Sequence, residues 1–443
     1  MKKIHAFLFE EVDNSSLVMF RVFFGLLLAL ETGGAIATGW VHNTFIEPEF
    51  TFTFIGLEFL QPLPGNWMYV YFSFMALLGI GVMLGYRYKW CLGAYTLLWT
   101  MSYLMQKSHY NNHYYLLVLL CLMMLITPAH RYLSMDVKRN PKISSLTCPR
   151  WCYVFFMFQL WIVYTWAGIV KFYPGWLNGD FVSNLFASRA HFFLIGPLLQ
   201  NELLQQMLIY GGIFFDLFII YLLLWKRTRM LALFLSFFFH MFNSWVLHIG
   251  IFPYLMLAMD LFFFPPEKVR STFLKKKPKV SPIPINAPIS RGKEFFTYAM
   301  ALYFLIQILL PIRPYLFKGN VFWTEEGHRL SWRMMLRTKR GNVKYKIIRE
   351  NGEQIMINPR KTLAAYQANS MASKPDMIWQ YAQRLKKEYL KKGEVIQVYA
   401  IAYASLNGSS YKQFIDPEVD LAAEPWKRFQ HKEWILSHPF ENE

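Results

Sequence analysis

A lysine ends one of the longest apolar runs of the chain, and two other polar clusters occupy comparable places. The run WCYVFFMFQLWIVYTWAGIVK ends at Lys171, directly before the turn FYPGW. The segment YNNHYY places Asn112 and His113 at the start of another apolar run, and FFFHMFNSW places His240 near the end of a third. Ionisable and amide groups beside apolar runs are costly in a membrane and by default suggest a function.

An uncharged lysine at a lipid–water boundary can act as a general base. A protonated amine cannot accept a proton, but burial disfavours the ammonium form, so a desolvated lysine can deprotonate weak acids. Imidazole and amide groups nearby would then stabilise the oxyanion. If the three clusters meet in one pocket, Lys171 could remove a proton from an apolar molecule dissolved in the bilayer.

Each cluster also has a purely structural interpretation. Lys171 could extend to the membrane interface beside Trp166, as lysines at helix ends commonly do. His113, next to two asparagines, could cap a helix. His240 and Asn243 could form hydrogen bonds between helices.

Arg21 and Glu31 form a further polar group, within the first apolar run. In a helix they lie about three turns apart, so they are too far from each other to pair directly. The sequence predicts separate structural partners for them on neighbouring helices.

The composition is typical of a polytopic membrane protein. Of 443 residues, 55% are hydrophobic, 19% aromatic and 17% charged. Apolar runs long enough to cross ~30 Å of hydrocarbon as helix start near Leu17, Trp67, Lys89, Tyr114, Trp151, Gln206, Met230, His248 and Phe295. The fold class predicted is an integral membrane all-α domain of about nine transmembrane helices, followed by a small extracytoplasmic α/β domain. The N-terminus shows no cleavable signal peptide.

The distribution of charge predicts the orientation in the membrane. The net charge is +18, but the lysines and arginines gather in alternate loops, whereas residues 41–66 contain none. By the positive-inside rule the N-terminus is cytoplasmic, the basic stretch 265–293 is a cytoplasmic linker, and everything after Pro311 lies outside. This pattern indicates contact with membrane lipid and argues against a nucleic-acid partner.

The domain boundary is predicted at residues 311 and 312. Residues 1–311 form the membrane domain, which contains the polar clusters, and residues 312–443 form the outer domain. Alternating apolar residues around Asn351-Gly352 and around Asn407-Gly408 predict two β-hairpins. Between them, a helix is predicted to start at Ser373 to Asp376 and to end before Gly393.

The cysteines and histidines predict neither a disulfide framework nor a metal site. Cys91, Cys121, Cys148 and Cys152 fall within spans or on the cytoplasmic side, and none forms a C-x-x-C pair. The histidines near the apolar runs come from separate segments of the chain.

Five segments together resemble the vitamin K-dependent gamma-glutamyl carboxylase family. They are AGIVKFYPGWLNG, YNNHYYL, FFHMFNSWVLHIGIFPYLMLA, VFWTEEGHRLSWRMM and QFIDPEVDLAAEPW. The resemblance extends from about Leu17 to Trp426 and so covers both domains. It implies a membrane enzyme that uses reduced vitamin K, oxygen and carbon dioxide, without a metal. Such an enzyme converts the quinol to its epoxide and glutamate to gamma-carboxyglutamate.

The resemblance also implies roles for individual residues. Lys171 matches the lysine that deprotonates the hydroquinone, and Asn112 and His113 match a pair that contacts the quinone oxygens. His240 matches a histidine near the same site, so that Lys171, His113 and His240 are the implied catalytic residues. The further implied contacts are Asn243 and Trp166 for the quinol, and Arg189, Trp332, Met334, Met335 and Arg337 for a glutamyl peptide or protein on the outer face.

Three positions depart from the family pattern. His328 stands where the animal enzymes have a tyrosine, Arg337 where they have a histidine, and Glu418 where they have an arginine in a DPRVD motif. Epoxidation without carboxylation is therefore an alternative, as is a transporter or lipid-handling protein on the same fold. The chain is shorter than the animal enzymes, and its outer domain has no cysteines. Both features predict that the protein lies in a bacterial plasma membrane.

Overall fold

The computed structural model describes residues 2–193, 195–282 and 290–438. The chain is mostly helical, with a small sheet of two strands near the N-terminus and one of four strands toward the C-terminus. The helical part and the four-stranded part each have their own hydrophobic core. This agrees with the predicted succession of a helical membrane domain and a small α/β unit.

The helices of the first part are α1 (Lys2–Phe9), α2 (Ser15–Ala37), α3 (Trp67–Leu84), α4 (Tyr88–Met105), α5 (Asn112–Ile126), α6 (Met135–Arg139), α7 (Trp151–Ile169), α8 (Pro174–Leu177), α9 (Asp180–Ala187), α10 (Gly196–Leu199), α11 (Glu202–Leu224), α12 (Arg229–Leu247), α13 (Phe252–Met259), α14 (Pro266–Phe273) and α15 (Arg291–Leu309). The later helices are α16 (Val321–Thr324), α17 (Ala365–Met371) and α18 (Pro375–Leu390). The strands are β1 (Glu11–Asp13), β2 (Thr147–Pro149), β3 (Lys339–Arg349), β4 (Gln354–Ile357), β5 (Ile396–Leu406) and β6 (Lys412–Gln413).

Six of the described helices are long and apolar enough to cross a membrane. They are α2, α3, α7, α11, α12 and the stretch Arg291–Leu316 that begins with α15. Large apolar side chains on these helices face outward, for example Leu77, Phe214 and Phe234, each more than half exposed. A helix that is apolar on all sides and exposes such residues is suited to lipid.

The predicted count of about nine spans is not confirmed by helix length and composition. Helices α4, α5 and the apolar stretch Phe252–Phe263 lie where the remaining spans were expected. Helix α5 and the Phe252–Phe263 stretch are shorter than the six, and α4 is not among the candidate spans. The structure therefore supports a membrane domain of six long apolar helices accompanied by these three.

Two glycines allow α2 and α3 to touch backbone to backbone. A Cβ atom on Gly25 would lie 2.2 Å from the amide nitrogen of Met83, and one on Gly79 would lie 2.6 Å from that of Ala29. Small residues at helix contacts permit such an approach in membranes, where close packing holds helices together.

Arg21 and Glu31 have separate partners, as predicted, but those of Arg21 lie in a loop and not on a neighbouring helix. The Arg21 guanidinium donates hydrogen bonds at 2.6–3.2 Å to backbone carbonyls of residues 129, 132 and 133, in the loop after α5. Glu31 instead interacts with the Tyr114 hydroxyl and the backbone of Ile251. These contacts tie α2 to neighbouring segments and give both residues a structural role.

The four-stranded sheet has the antiparallel order β4-β3-β5-β6. Tyr345 in β3 pairs with Ile357 in β4, so the hairpin predicted around Asn351-Gly352 is confirmed. The hairpin predicted around Asn407-Gly408 is also confirmed, because β5 pairs with β6. Asn407 and Gly408 both have positive φ, at 49° and 82°, as a tight hairpin turn requires.

Helix α18 covers the four-stranded sheet. The unit that contains this sheet, residues 312–438, is called the outer unit after its predicted side of the membrane. The α18 residues Met377, Ile378 and Tyr381 are buried with Val398 and Ala400 of β5 in one core. The helix lies within the predicted bounds, and Gly393 after it has φ of 81°. The predicted glycine stop is therefore confirmed.

The loop between α2 and α3 contributes to the same core. Phe52 is fully buried there, and Gln380 of α18 donates a hydrogen bond of 3.2 Å to the carbonyl of Thr53. This part of residues 41–66 had no predicted structure. The long connection therefore joins the helical part to the outer unit.

The described part of the predicted linker 265–293 packs against the helical part. It begins with α14, and Lys277 is buried against the start of α2, where its Nζ contacts Asp13, Asn14 and Ser15. Residues 283–289 of the linker lie outside the described residues.

Replacing Gly25 with leucine should destabilise the protein by at least about 1–3 kcal/mol, the usual cost of overpacking, because the side chain would collide with the backbone of α3. Gly33→Leu is the matched control, since a Cβ at Gly33 in the same helix meets nothing within 4 Å. Thermal unfolding of the purified protein in detergent measures both. Equal melting temperatures for the two variants would contradict the proposed close contact.

Candidate functional site

A cavity of about 210 Å³ lies among α7, α9, α11, α12 and α13. Its walls are largely apolar, with Val163, Phe181 and Leu185 among them. The polar side chains on its surface are His113, Tyr164, Lys171, Asp216, His240 and Asn243. Residues from each of the three polar clusters of the sequence therefore line one pocket.

Lys171 lies just beyond the end of α7 and points into this cavity. Its side chain is 8% exposed, so it does not extend to the interface in the manner of a surface lysine. Its Nζ forms an ion pair with the Asp216 carboxylate and donates a hydrogen bond of 3.2 Å to the carbonyl of Gly212. The Trp176 ring centroid lies 5.0 Å from the same nitrogen.

Asp216 is a site residue that the sequence reasoning missed. It lies in the middle of α11, and its side chain is only 6% exposed. The signal was present in GGIFFDLFII, where a single carboxylate interrupts an apolar run. A buried carboxylate is retained where a cation or hydrogen bonds stabilise it, and here Lys171 does so.

His240 is held by a tyrosine from another helix. Its Nε2 and the Tyr164 hydroxyl are 2.8 Å apart, and the His240 side chain is buried. Its Nδ1 has no hydrogen-bond partner among the described residues. A fixed imidazole with one unused nitrogen on a cavity wall is suited to contact a ligand oxygen.

The NNH cluster divides between structural and cavity positions. Asn111 caps α5, since its side chain accepts a hydrogen bond of 2.8 Å from the amide of Tyr114. Asn112 faces away from the lining and donates to the carbonyl of Arg333 at 3.2 Å. His113 lines the cavity and packs on the Phe252 ring, with centroids 4.0 Å apart.

The other residues implied for the quinol divide in the same way. Asn243 lines the cavity, whereas Trp166 packs between the two helical cores and is not among the lining residues.

The residues implied for a peptide substrate occupy four different environments. Met334 and Met335 line the cavity, and Trp332 is fully buried with its ring 5.1 Å from that of Tyr115. Arg337 forms a two-pronged ion pair with Glu325, with one N–O distance of 2.7 Å. Arg189 lies between α9 and α10, with its guanidinium over the Phe192 ring, and is not among the lining residues.

The residues that the structure describes contain no group of histidine, cysteine or acidic side chains arranged to hold a metal ion. The four cysteines are free thiols.

Two family models match the chain in succession. Residues 9–267, more than half of the chain, match the HTTM domain, and residues 292–441 match the lumenal domain of vitamin K-dependent gamma-carboxylase. No solved structure matches the chain.

The buried ion pair predicts strong coupling between its two residues. Lys171→Met should lower the free energy of unfolding by about 3–5 kcal/mol, because it leaves the Asp216 carboxylate unpaired in an apolar wall. Adding Asp216→Leu should restore much of that loss. Denaturation of the single and double variants in detergent measures the coupling.

Arg349→Met is the control for this cycle. It removes one partner of an ion pair in which the Arg349 and Glu353 side chains are 31% and 49% exposed, and such pairs contribute little. Additive losses in the Lys171 and Asp216 cycle would show that the two groups do not form a pair.

Proposed function

Because the chain belongs to the vitamin K-dependent gamma-carboxylase family, we propose that it is a membrane enzyme that oxidises a naphthohydroquinone and carboxylates glutamate. In the balanced reaction, hydroquinone and oxygen give epoxide and water, while glutamate and carbon dioxide give gamma-carboxyglutamate and a proton. The observation that carries the proposal is that Lys171, His113 and His240, from three separate segments, line one apolar cavity.

The cavity suits a bicyclic aromatic head with an apolar tail. Its walls are mostly hydrocarbon, and its few polar groups would face the two ring oxygens. Met207 lines the cavity and is also 64% exposed on the surface of α11. We infer that the tail leaves the site beside Met207 and enters the lipid. The reduced quinone, when bound, would supply the four electrons that reduce oxygen to the epoxide oxygen and water, two from the hydroquinone and two from the ring double bond.

Lys171 would act as the base with the help of Asp216. At rest the ion pair holds one proton on the amine. Transfer of that proton to the Asp216 carboxylate gives two neutral partners, which a low-dielectric site tolerates better than separated charges. The free amine then accepts the proton of the quinol hydroxyl.

His113, His240 and Asn243 would hold the ring oxygens. The Nδ1 of His240 has no hydrogen-bond partner among the described residues, so its hydrogen-bonding capacity is available for such a contact. Donors fixed before the reaction stabilise a developing oxyanion without reorganisation. Asn112 would support this arrangement indirectly, through its hydrogen bond to the segment that contains Met334.

The peptide substrate would approach from the outer side. Met334 and Met335, which lie between α16 and β3, form the part of the lining that the outer unit contributes. Arg189 would contact the peptide near the surface. Trp332 and Arg337 would position the segment 333–336, which contains Met334 and Met335. This route assumes nine spans, a cytoplasmic N-terminus and an outer domain of residues 312–443, in a bacterial plasma membrane.

Epoxidation without carboxylation is the second candidate. Arg337 is occupied by Glu325, so its guanidinium is not free to bind a substrate carboxylate in this arrangement. Glu418 is exposed and lies on a turn with Asp416, where its charge would repel an acidic peptide. These two observations favour loss of the carboxylation half alone.

The decisive variant is Lys171→Ala combined with Asp216→Asn, which removes the base without leaving an unpaired charge. Epoxide formation from reduced vitamin K and oxygen should fall by a factor of about 10²–10⁴, the usual contribution of a general base. Lys392→Ala is the control, because Lys392 lies on the outer unit and is not among the residues that line the cavity.

Labelled bicarbonate and a short glutamyl peptide in the same assay separate the two candidates. Epoxide together with labelled peptide indicates a carboxylase, and epoxide alone indicates an oxygenase. Normal epoxide formation by the Lys171 and Asp216 double variant would rule out the assigned base.

A further inference from the structure

A second cavity, of about 340 Å³, lies in the outer unit. It is formed by the loop after α2, the start of α18 and the segments 313–330 and 426–435. It shares no lining residue with the membrane cavity among the residues described. The two cavities are therefore separate sites.

The outer cavity contains more positive than negative charge. The cationic side chains of its lining are Lys107, Arg313, Arg329, Arg428 and Lys432. The acidic ones are Glu325, Glu326 and Asp376. His328 also lines the cavity, but burial lowers its pKa to about 3 and keeps it neutral.

The three carboxylates already have partners. Asp376 lies 2.6 Å from Lys107 and 2.8 Å from Arg329, and Glu326 lies 3.2 Å from Lys432. Burial alone would raise the pKa of Glu325, but its cationic neighbours, Arg337 foremost, lower it to about 2. Each of the three acids is thus engaged by at least one cationic side chain.

Two of the cations have only backbone partners. Arg313 donates to the carbonyls of Gly327 and Arg329, and Arg428 donates to that of Ile55 at 3.0 Å. The Nε atoms of Arg313 and Arg329 are buried without a hydrogen-bond partner within the described ranges, whereas Arg428 is exposed and can offer its remaining donors to a ligand. Surplus positive charge with unused donors in a partly desolvated cavity favours the binding of an anion.

Aromatic side chains form the border of this cavity. Phe54, Phe317, Trp426 and Phe429 are part of the lining, and Phe429 is 84% exposed. An exposed ring beside a cationic cavity can contact the apolar parts of a polypeptide, whereas a free small anion would not use it.

We propose that the outer cavity binds a carboxylate side chain of an acidic polypeptide. The planar fork of an arginine matches a carboxylate oxygen pair, and Arg313 and Arg428 are the two arginines without an acidic partner. The bound carboxylate is not the one that reacts, because the reacting group must reach Lys171 in the other cavity. The inference concerns binding alone and stands independently of the chemistry at Lys171.

The segment 325–335 connects the two cavities. Glu325 and Leu330 line the outer one, and Met335 lines the membrane one. These three residues and Trp332 have positive φ, between 50° and 62°. This backbone conformation is strained for residues other than glycine. A polypeptide anchored in the outer cavity would thus lie along the segment that leads to the reaction site.

The test uses the purified full chain in detergent and a fluorescent peptide of alternating glutamate and alanine. Fluorescence anisotropy should show binding that weakens with salt, and the matched glutamine peptide should not bind. Arg428→Gln should weaken binding by at least about tenfold, and Arg428→Lys should weaken it less. Lys392→Gln, with the same loss of charge outside the cavity, should bind like wild type.

Three results would overturn the proposal. They are equal binding of the glutamine peptide, equal loss in Arg428→Gln and Lys392→Gln, and displacement of the peptide by acetate or bicarbonate at the peptide's own affinity. The last result would identify the ligand as a free small oxyanion. The Lys171 and Asp216 double variant should still bind the peptide, so a failure of the proposed catalysis would be distinguished from a failure of this site.

Discussion

The buried ion pair between Lys171 and Asp216 determines how the membrane cavity is built. Two charges withdrawn from water are tolerated only when they are held together. Helix α7 must therefore end beside the middle of α11, and the carbonyl of Gly212 completes the contact. The apolar wall is arranged around this pair, together with His113, His240, Met334 and Met335.

The same pair would allow Lys171 to serve as the proposed base. A carboxylate beside the amine offers the ammonium proton a destination within contact distance. An isolated buried lysine would have to release that proton to bulk water before it could react. The pairing thus combines a structural role, holding two helices together, with a proposed chemical one.

The second constraint is the strained segment 325–335. Its backbone places Glu325 in a network of outer ion pairs and Met335 on the wall of the membrane cavity. The hydroxyl of Tyr110 accepts from the amide of Leu330 and donates to Asn112. The segment that contributes to both linings therefore also attaches the outer unit to the helical part.

The sequence alone predicted the features that depend on local pattern. The apolar runs predicted the positions of the long helices but not the number of spans, and Asn351-Gly352 and Asn407-Gly408 predicted the hairpins. The polar clusters predicted several of the polar residues of the membrane cavity, but not Asp216. Each depends on the preferences of a few adjacent residues, such as the positive φ that a two-residue turn requires. The motifs were also sufficient to indicate the family.

Only the tertiary structure decided which of those residues act together. Asp216 lies far from Lys171 in the sequence, so no local spacing could pair them. Likewise, the place of Phe52 in the outer core and the charge surplus around Arg313 arise from segments that meet only in the folded chain. Long-range contacts of this kind depend on packing and desolvation, which a linear pattern of residue types does not encode.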